Sequence, residues 1–230
     1  MYLYYITDRR QLSADREESA RLLLERIRLS AEAGIDAIQL REKDLNARDL
    51  LELGRRAVEI VRQVNSARSS NPTRLFINSR IDVAIACGAD GVHLRGDDIS
   101  AADARAVLVK AGASPPVIGV SCHSFQEIEL AEGNGADFVV FAPIFGKSDG
   151  EGDPVGIAEL QRVCRQRKAH GSAMRVLALG GITPANAVEC LKAGAAGIAG
   201  IRIFQAGDVA ETVSKLRRLE LSLHLDAVSS

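Results

Sequence analysis

Two glycine corners near the end of the chain have the residue types of a phosphate site. Segments 177–181 and 197–200 each resemble a short apolar strand that ends in glycine where a helix should begin. Glycine lets backbone N–H groups approach an anion closely, and a helix N-terminus adds partial positive charge. The pair predicts one phosphate cup, and two ordinary turns with small residues for packing are the alternative. The glycines concerned are Gly180, Gly181 and Gly200.

The segment 39–44 (Gln-Leu-Arg-Glu-Lys-Asp) combines an amide, two cations and two acids. Because side chains alternate along a strand, Gln39, Arg41 and Lys43 should share one face that points into the mouth of the fold. Desolvating two cations there is costly unless an anion or carboxylates meet them. The pattern predicts an anionic ligand, and the alternative is a salt-bridged plug made with Glu42, Asp44 or an acid of a neighbouring strand.

Other charged residues lie just after further predicted strands. Arg202 and Lys147 would add two more cations to the mouth, which suits a substrate with more than one phosphate group. Asp97 and Asp98 are candidate oxygen ligands for Mg²⁺. A solvated turn or a helix cap is the alternative for these two acids.

His123 follows the fifth predicted strand, and histidine is a residue type that can transfer protons at neutral pH. It is a candidate general base, and a structural histidine near a helix start is the alternative. Ser124 is predicted to cap the next helix. His93 lies within the fourth strand, where packing or hydrogen bonding in the interior is expected.

The elements that must position these residues emerge from an internal repeat. Four segments each combine a helix end, a glycine suited to a left-handed C-terminal position and a short apolar strand. They are 33–40, 87–94, 134–141 and 193–200, and strand-like runs lie between them at 3–6, 74–77, 117–120 and 175–178. Eight strands alternating with helices predict a single (β/α)₈ TIM barrel over residues 1–230, with a doubly wound open sheet as the weaker alternative.

Composition narrows the expected partners to small molecules. Lys+Arg 29 against Asp+Glu 30 leaves no overall field that would attract nucleic acid or a membrane surface, and Trp is absent. The four cysteines form no Cys-x-x-Cys pair, which fits a reducing cytosol. The N-terminal apolar run is too short for a signal or membrane segment, so a cytoplasmic location is expected. A homo-oligomer stays open.

Six motifs in chain order resemble the thiamine phosphate synthase family. They are Gln-Leu-Arg-Glu-Lys at 39–43, Asn78 opening Asn-x-Arg-x-Asp-Val-Ala, Gly-Ala-Asp-Gly-Val-His-Leu at 88–94, Gly-Val-Ser-x-His at 119–123, Gly-Ala-Asp-Phe-Val at 135–139 and Leu-Gly-Gly-Ile-Thr at 179–183. The resemblance implies a (β/α)₈ barrel that joins hydroxymethylpyrimidine diphosphate to a thiazole phosphate. It also implies that Mg²⁺ assists the release of pyrophosphate and that the reaction passes through a pyrimidine-methyl cation.

The resemblance also implies roles for residues at matching positions. Those for the pyrimidine diphosphate are Gln39, Arg41, Lys43, Asn78 and Ser121, with Lys147 and Ser148 as further substrate-binding candidates. Those for the thiazole phosphate are Gly180, Gly181, Gly200, Ile201 and Arg202. Asp98 would hold Mg²⁺, and His123 and Lys43 are the candidate catalytic residues.

Three positions depart from the family pattern. Ser79 stands where a metal-binding Asp usually follows the Asn, so one expected Mg²⁺ ligand is missing. The loop after strand six lacks the usual Thr-x-Thr-Lys, and Lys147 and Ser148 are the candidate substitutes. Arg202 replaces a small hydroxyl residue at the last corner.

Two alternative functions stay open. Thiazole tautomerases of the same superfamily dispense with the metal and use a catalytic His at the position of His123. Ser79 favours that function, whereas Lys43 and Asp98 favour the synthase, because a tautomerase has no diphosphate to hold. The second alternative is a non-catalytic barrel that only binds thiamine precursors.

Overall fold

Within the described residues, eight parallel strands alternate with helices and close into a barrel. The computed structural model describes residues 1–68, 71–113, 115–146 and 153–228, except for the side chains of 224–228. The strands are β1 (Tyr2–Ile6), β2 (Ala37–Leu40), β3 (Arg74–Asn78), β4 (Gly91–Leu94), β5 (Val117–Cys122), β6 (Phe138–Phe141), β7 (Arg175–Ala178) and β8 (Gly197–Gly200). Pairing of β1 with β8 completes the ring. The predicted (β/α)₈ barrel is confirmed.

The helices lie between successive strands. They are α1 (Arg16–Ala33), α2 (Ala47–Ser66), α3 (Ile81–Cys87), α4 (Ala101–Lys110), α5 (Phe125–Gly133), α6 (Gly156–Ala169), α7 (Ala187–Lys192), α8 (Arg202–Gln205) and α9 (Val209–Val228). None of those in the described ranges is long and apolar enough to cross a membrane.

Local sequence explains where several helices begin and end. Asp15, Asn46 and Ser124 each accept a hydrogen bond from the backbone N–H three residues later, the usual N-cap arrangement. Gly34 and Gly88 follow α1 and α3 in the left-handed conformation, with φ of 89° and 69°. Glycine adopts this conformation without a steric penalty, so it ends the helix there. The predicted cap at Ser124 is confirmed.

β1, β3 and β5 are one or two residues longer than predicted, and two further differences bear on the site. β2 ends at Leu40, so strand alternation accounts for the position of Gln39 but does not extend to Arg41 and Lys43. The short helix α8 was not predicted, because four residues are too few to show helical periodicity.

An aromatic plug, formed by Tyr4, Phe76 and Phe138, fills the centre of the barrel. All three side chains are fully buried. Their rings meet edge to face, with centroids 5.3 Å apart for Tyr4 and Phe138, 5.7 Å for Phe76 and Phe138, and 5.9 Å for Tyr4 and Phe76. A second apolar layer, between the strands and the helices, forms the main core. The interior is therefore a solid floor beneath the mouth.

Residue 119 must be small, because it packs directly against the aromatic plug. A Cβ on Gly119 would lie 2.3 Å from Phe138 Cζ and 2.7 Å from His93 Nδ1. Both neighbours are fully packed, so neither can move aside cheaply.

We therefore expect Gly119→Ala to lower the free energy of unfolding by about 1–3 kcal/mol through overpacking. The control is Gly133→Ala in α5, where a Cβ would have no neighbour within 4 Å. That change should be neutral or stabilising by up to about 1 kcal/mol, because alanine favours helix. Urea unfolding of both variants measures the difference. Equal effects would show that packing at the plug is not the cause.

Candidate active site

A polar layer lies directly above the aromatic plug. Inward-facing positions recur every second residue along a strand, so Asn78 follows Phe76 on the same face of β3. His93 on β4 pairs in register with Asn78 and with Gly119, and Gln39 on β2 pairs with Phe76. The barrel therefore turns from apolar to polar within one layer at the carboxyl ends of its strands. Catalytic residues of this fold lie at that end.

A chain of hydrogen bonds crosses the mouth from β2 to the segment after β4. Gln39 Nε2 donates to Asn78 Oδ1 at 3.2 Å, and Asn78 Nδ2 donates to Ser79 Oγ at 3.2 Å. Ser79 in turn donates to Asp98. The backbone of Ser79 has a φ of 58°, a left-handed conformation that non-glycine residues seldom adopt. The structure thus brings together three of the predicted site residues through a serine.

A second chain of hydrogen bonds rises from the plug to the mouth. Tyr4 Oη lies 3.1 Å from His93 Nδ1, and His93 Nε2 lies 2.9 Å from Ser121 Oγ. Burial, helped by the charge of Arg41 and opposed by that of Asp98, lowers the pKa of His93 to about 3. His93 is therefore neutral at physiological pH, and its predicted interior hydrogen-bonding role is confirmed.

An ion-pair cluster, the Arg9 clamp, holds both acids of the segment after β2. Arg9 Nη1 and Nη2 donate to the two carboxylate oxygens of Asp44 at 2.7 Å, and Nη1 also donates to Glu42 at 3.1 Å. Thr7 Oγ1 donates to Glu42 at 2.5 Å and accepts from the backbone N–H of Arg41 at 3.0 Å. The salt-bridged plug considered for this segment exists, but its cation is Arg9 rather than Arg41.

The Arg41 guanidinium takes no part in the Arg9 clamp. Arg41 is half-buried, and its guanidinium donates no hydrogen bond to any residue in the described ranges. Burial lowers the pKa of Arg41, while the charges of Asp8 and Glu42 raise it. A partly desolvated guanidinium without a close partner is suited to bind an anion. Lys43 is exposed in the turn that follows.

The two glycine corners lie after neighbouring strands, because β7 and β8 pair in the closed sheet. Gly180 and Gly181 have φ of 107° and 63°, and a Cβ on either would approach the 143–145 segment within 3 Å. That segment is tied to the first corner, since Ile144 N donates to Leu179 O at 2.9 Å. Left-handed glycines of this kind form concave N–H surfaces that bind anions.

The second corner carries the residue that departs from the family pattern. A Cβ on Gly200 would lie 2.3 Å from Ile203 Cγ2, so a larger residue at the turn into α8 would have to displace the Ile203 side chain. Ile201 is half-buried before that helix. Arg202 is exposed, and its guanidinium forms no hydrogen bond or ion pair with the part of the chain that is described.

His123 lies just beyond β5 and is exposed. Its Nδ1 lies 2.8 Å from the carbonyl oxygen of Ala142, and its backbone N–H donates to Glu127 at 2.8 Å. Because a carbonyl only accepts, Nδ1 carries the proton and Nε2 is the acceptor in the neutral ring. Two other candidates, Lys147 and Ser148, lie outside the described residues.

Asp98 is an ionised carboxylate at the mouth. Its oxygens accept from the backbone N–H of Arg95 at 2.8 Å and from Arg95 Nη2 at 3.3 Å. Burial acts to raise the pKa of Asp98, but hydrogen bonds from Arg95 and Ser79 outweigh it and hold the pKa below its usual value. No group of three or more His, Cys, Asp or Glu side chains suited to a metal is found in the described ranges.

Comparison with known proteins identifies the family of this chain. The family described as thiamine monophosphate synthase matches residues 3–204, which include all eight strands of the barrel except the first residue of β1. The chain belongs to the thiamine monophosphate synthase family. The match therefore covers both the polar layer and the glycine corners.

Individual relatives agree with this family. Thiamine-phosphate synthase of Methanoculleus marisnigri is 39% identical over 83% of this chain and 84% of its own length. The thiamine-phosphate synthase of Archaeoglobus fulgidus is 34% identical over 93% and 90%. Among solved structures, thiamine phosphate pyrophosphorylase from Pyrococcus furiosus is 31% identical, with a TM-score of 0.74 and coverage of 95% of this chain and 94% of that one.

Two features of this member of the thiamine monophosphate synthase family were missed in the sequence. Arg9 follows β1 among other charges, and nothing in its neighbours indicates that its side chain is only 4% exposed. Tyr4 reads as one more apolar position in a strand, and only its distance to His93 shows a polar function. One feature of the sequence could have indicated a role for Arg9. Thr7 and Arg9 directly follow a strand, at the end of the barrel where active sites lie.

We expect Arg9→Met to lower the free energy of unfolding by about 3–5 kcal/mol, because Glu42 would remain buried without its partner. The Glu42 side chain is only 1% exposed. Arg16→Met is the control, since it removes an arginine paired with Asp49 whose own side chain is 68% exposed. Such surface pairs contribute about 0–1 kcal/mol. Urea unfolding at neutral pH compares the two, and similar losses would contradict a buried clamp.

Proposed function

We propose that this protein is a thiamine phosphate synthase, a transferase that joins hydroxymethylpyrimidine diphosphate to thiazole phosphate and releases pyrophosphate. The observation that carries the proposal is the family match across the whole barrel, with relatives named thiamine-phosphate synthase over most of both chains. The relatives' names do not favour the tautomerase or the binding-only alternative.

The diphosphate would be held by Arg41 with the help of Lys43. A guanidinium can donate two parallel hydrogen bonds to phosphate oxygens, and the nearby acids are occupied by the Arg9 clamp. Lys43 in the adjoining turn would add a second positive charge as the diphosphate departs. We assign Lys43 this catalytic role by its position beside Arg41.

The pyrimidine would lie over Gln39 and Asn78 of the polar layer, with Ser121 on the side of its diphosphate substituent. Their amides and hydroxyl can hydrogen-bond the ring or its substituents. A pyrimidine-methyl cation forms as the carbon–oxygen bond to the diphosphate breaks, and the thiazole nitrogen then bonds to that carbon. The neutral state of His93 favours this step, because a charged ring beneath the cation would repel it.

The thiazole phosphate would occupy the glycine corners. Left-handed turns at Gly180 and Gly181 support an anion contact there, and Gly200 and Ile201 would complete the cup from the neighbouring strand. Arg202 would supply the charge, in place of the small hydroxyl residue of the family pattern. His123 remains the candidate proton acceptor through Nε2. Lys147 and Ser148 remain candidates for the substrate contacts of the loop after β6.

The residues present fit Mg²⁺ held jointly with the diphosphate. Mg²⁺ is commonly bound by one or two carboxylates together with phosphate oxygens and water. Asp98 is ionised and would be the protein's carboxylate ligand, and Arg95 could stay paired with Asp97 while it releases Asp98. When bound, Mg²⁺ would neutralise charge on the departing diphosphate.

The synthase reaction can be tested directly. Purified protein with both phosphorylated precursors and Mg²⁺ should form thiamine phosphate, detected by mass, together with one equivalent of pyrophosphate. Arg41→Met should lower kcat/KM by about 10- to 100-fold, because charge-assisted hydrogen bonds are lost. The exposed change Arg16→Met should leave it unaltered. Absence of product at every concentration of folded protein would refute the proposed function.

With Ser79 in place of an aspartate, Mg²⁺ should bind more weakly than it would with a second carboxylate at this position. We expect Ser79→Asp to raise the affinity for Mg²⁺ in the presence of pyrophosphate about tenfold, as ligand charge increases. Aspartate tolerates the left-handed φ of 58° at this position. Ser214→Asp, on the exposed face of α9, adds the same charge elsewhere and should change nothing. Calorimetric titration with Mg²⁺ measures both, and equal affinities would place residue 79 away from the metal.

A further inference from the structure

We propose that Tyr4 and His93 are positioning residues that fix the direction of the Ser121 hydroxyl, so that it donates its proton to an oxygen of the bound diphosphate. This inference rests on the proposed function insofar as it takes the mouth to be the diphosphate site. It concerns the hydrogen-bond directions beneath that site.

The hydrogen bond between Tyr4 and His93 runs from the tyrosine hydroxyl to the histidine ring. Tyr4 is fully buried, and His93 Nδ1 at 3.1 Å is the one partner its hydroxyl has in the described part of the chain. If Nδ1 carried a proton, the tyrosine oxygen would accept it and its own buried proton would have no acceptor. Leaving a buried donor without an acceptor is strongly unfavourable. Tyr4 therefore donates, and Nδ1 accepts.

The ring proton of His93 lies on Nε2. The ring is fully packed between aromatic side chains, with centroids 5.6 Å from Tyr4 and 5.9 Å from Phe138. Burial and the nearby charge of Arg41 disfavour a second proton. A neutral ring whose Nδ1 accepts carries its proton on Nε2. His93 Nε2 therefore donates to Ser121 Oγ at 2.9 Å.

Ser121 still has its hydroxyl proton to donate. Its oxygen is occupied by His93, and the structure shows no acceptor for the hydroxyl proton within the described ranges. Ser121 is half-buried at the mouth, so that proton is available to a ligand. Diphosphate oxygens only accept hydrogen bonds, which makes a fixed donor useful. With the opposite tautomer of His93, Ser121 would donate inward and present only lone pairs to the diphosphate.

The surroundings preserve this arrangement. Gly119 pairs in register with His93, and a Cβ there would lie 2.7 Å from Nδ1, the atom that Tyr4 hydrogen-bonds. Glycine at this position therefore keeps the bond between Tyr4 and Nδ1 intact.

The hydrogen-bond directions can be read in the intact protein. Long-range ¹H–¹⁵N spectra of ¹⁵N-histidine-labelled protein should show His93 with a protonated Nε2 and an accepting Nδ1. In Tyr4→Phe the Nδ1 resonance should shift and the other tautomer should become populated. A wild-type His93 protonated on Nδ1 would overturn the proposal without any mutation.

The consequence for the ligand can be measured with pyrophosphate and Mg²⁺ as the probe, so no turnover is needed. Tyr4→Phe should weaken pyrophosphate binding about five- to tenfold, corresponding to one hydrogen bond. Tyr5→Phe is the matched control, because it removes an equally buried hydroxyl that donates to Gln205 at 3.1 Å outside the barrel interior. It should leave both the His93 spectrum and pyrophosphate affinity unchanged.

A double-mutant cycle tests whether Tyr4 acts through Ser121. In a Ser121→Ala background, Tyr4→Phe should have no further effect on pyrophosphate binding. Persistence of the full effect, or equal losses in the Tyr4 and Tyr5 variants, would refute the proposal. Failure of the proposed function is distinguishable, since it would appear as absence of thiamine phosphate while the spectra and the binding data keep their expected pattern.

Discussion

The ion pairs of Arg9 with Glu42 and Asp44 determine the electrostatics of the mouth. The chain as a whole is almost neutral, with a net charge of −1, so positive potential must be created locally. Arg9 does this indirectly, because it binds the two acids that adjoin Arg41. Charge separation of this kind needs a buried cation, since an exposed one would leave the acids free to exchange partners.

The plug and the polar layer depend on each other in a similar way. The edge-to-face rings provide a dry floor, and burial on that floor keeps His93 neutral. A neutral histidine can relay hydrogen-bond direction without adding charge under a cationic intermediate. Thus a packing feature at the centre of the barrel contributes to the chemistry proposed one layer above it.

The sequence predicted the barrel well, because the repeat of helix, glycine and strand is a local signal that occurs four times. Gln39, Asn78 and Asp98 were placed at the mouth by their position after strands, and the structure links them through hydrogen bonds. What could not be read was pairing between distant segments. Arg9 meets acids more than thirty residues away, and Tyr4 meets His93 across the interior. Such contacts are set by barrel closure rather than by local pattern.

The glycine corners carry a consequence for how this site could diversify. Gly180, Gly181 and Gly200 have backbone or packed side chains where a methyl group would need to fit. Larger residues at Gly180 and Gly181 would therefore disturb the backbone of the proposed cup. Arg202 is exposed, and its side chain forms no hydrogen bond or ion pair within the described part of the chain. Divergence in the choice of anion should accumulate there, on a side chain that can change while the turn beneath it stays invariant.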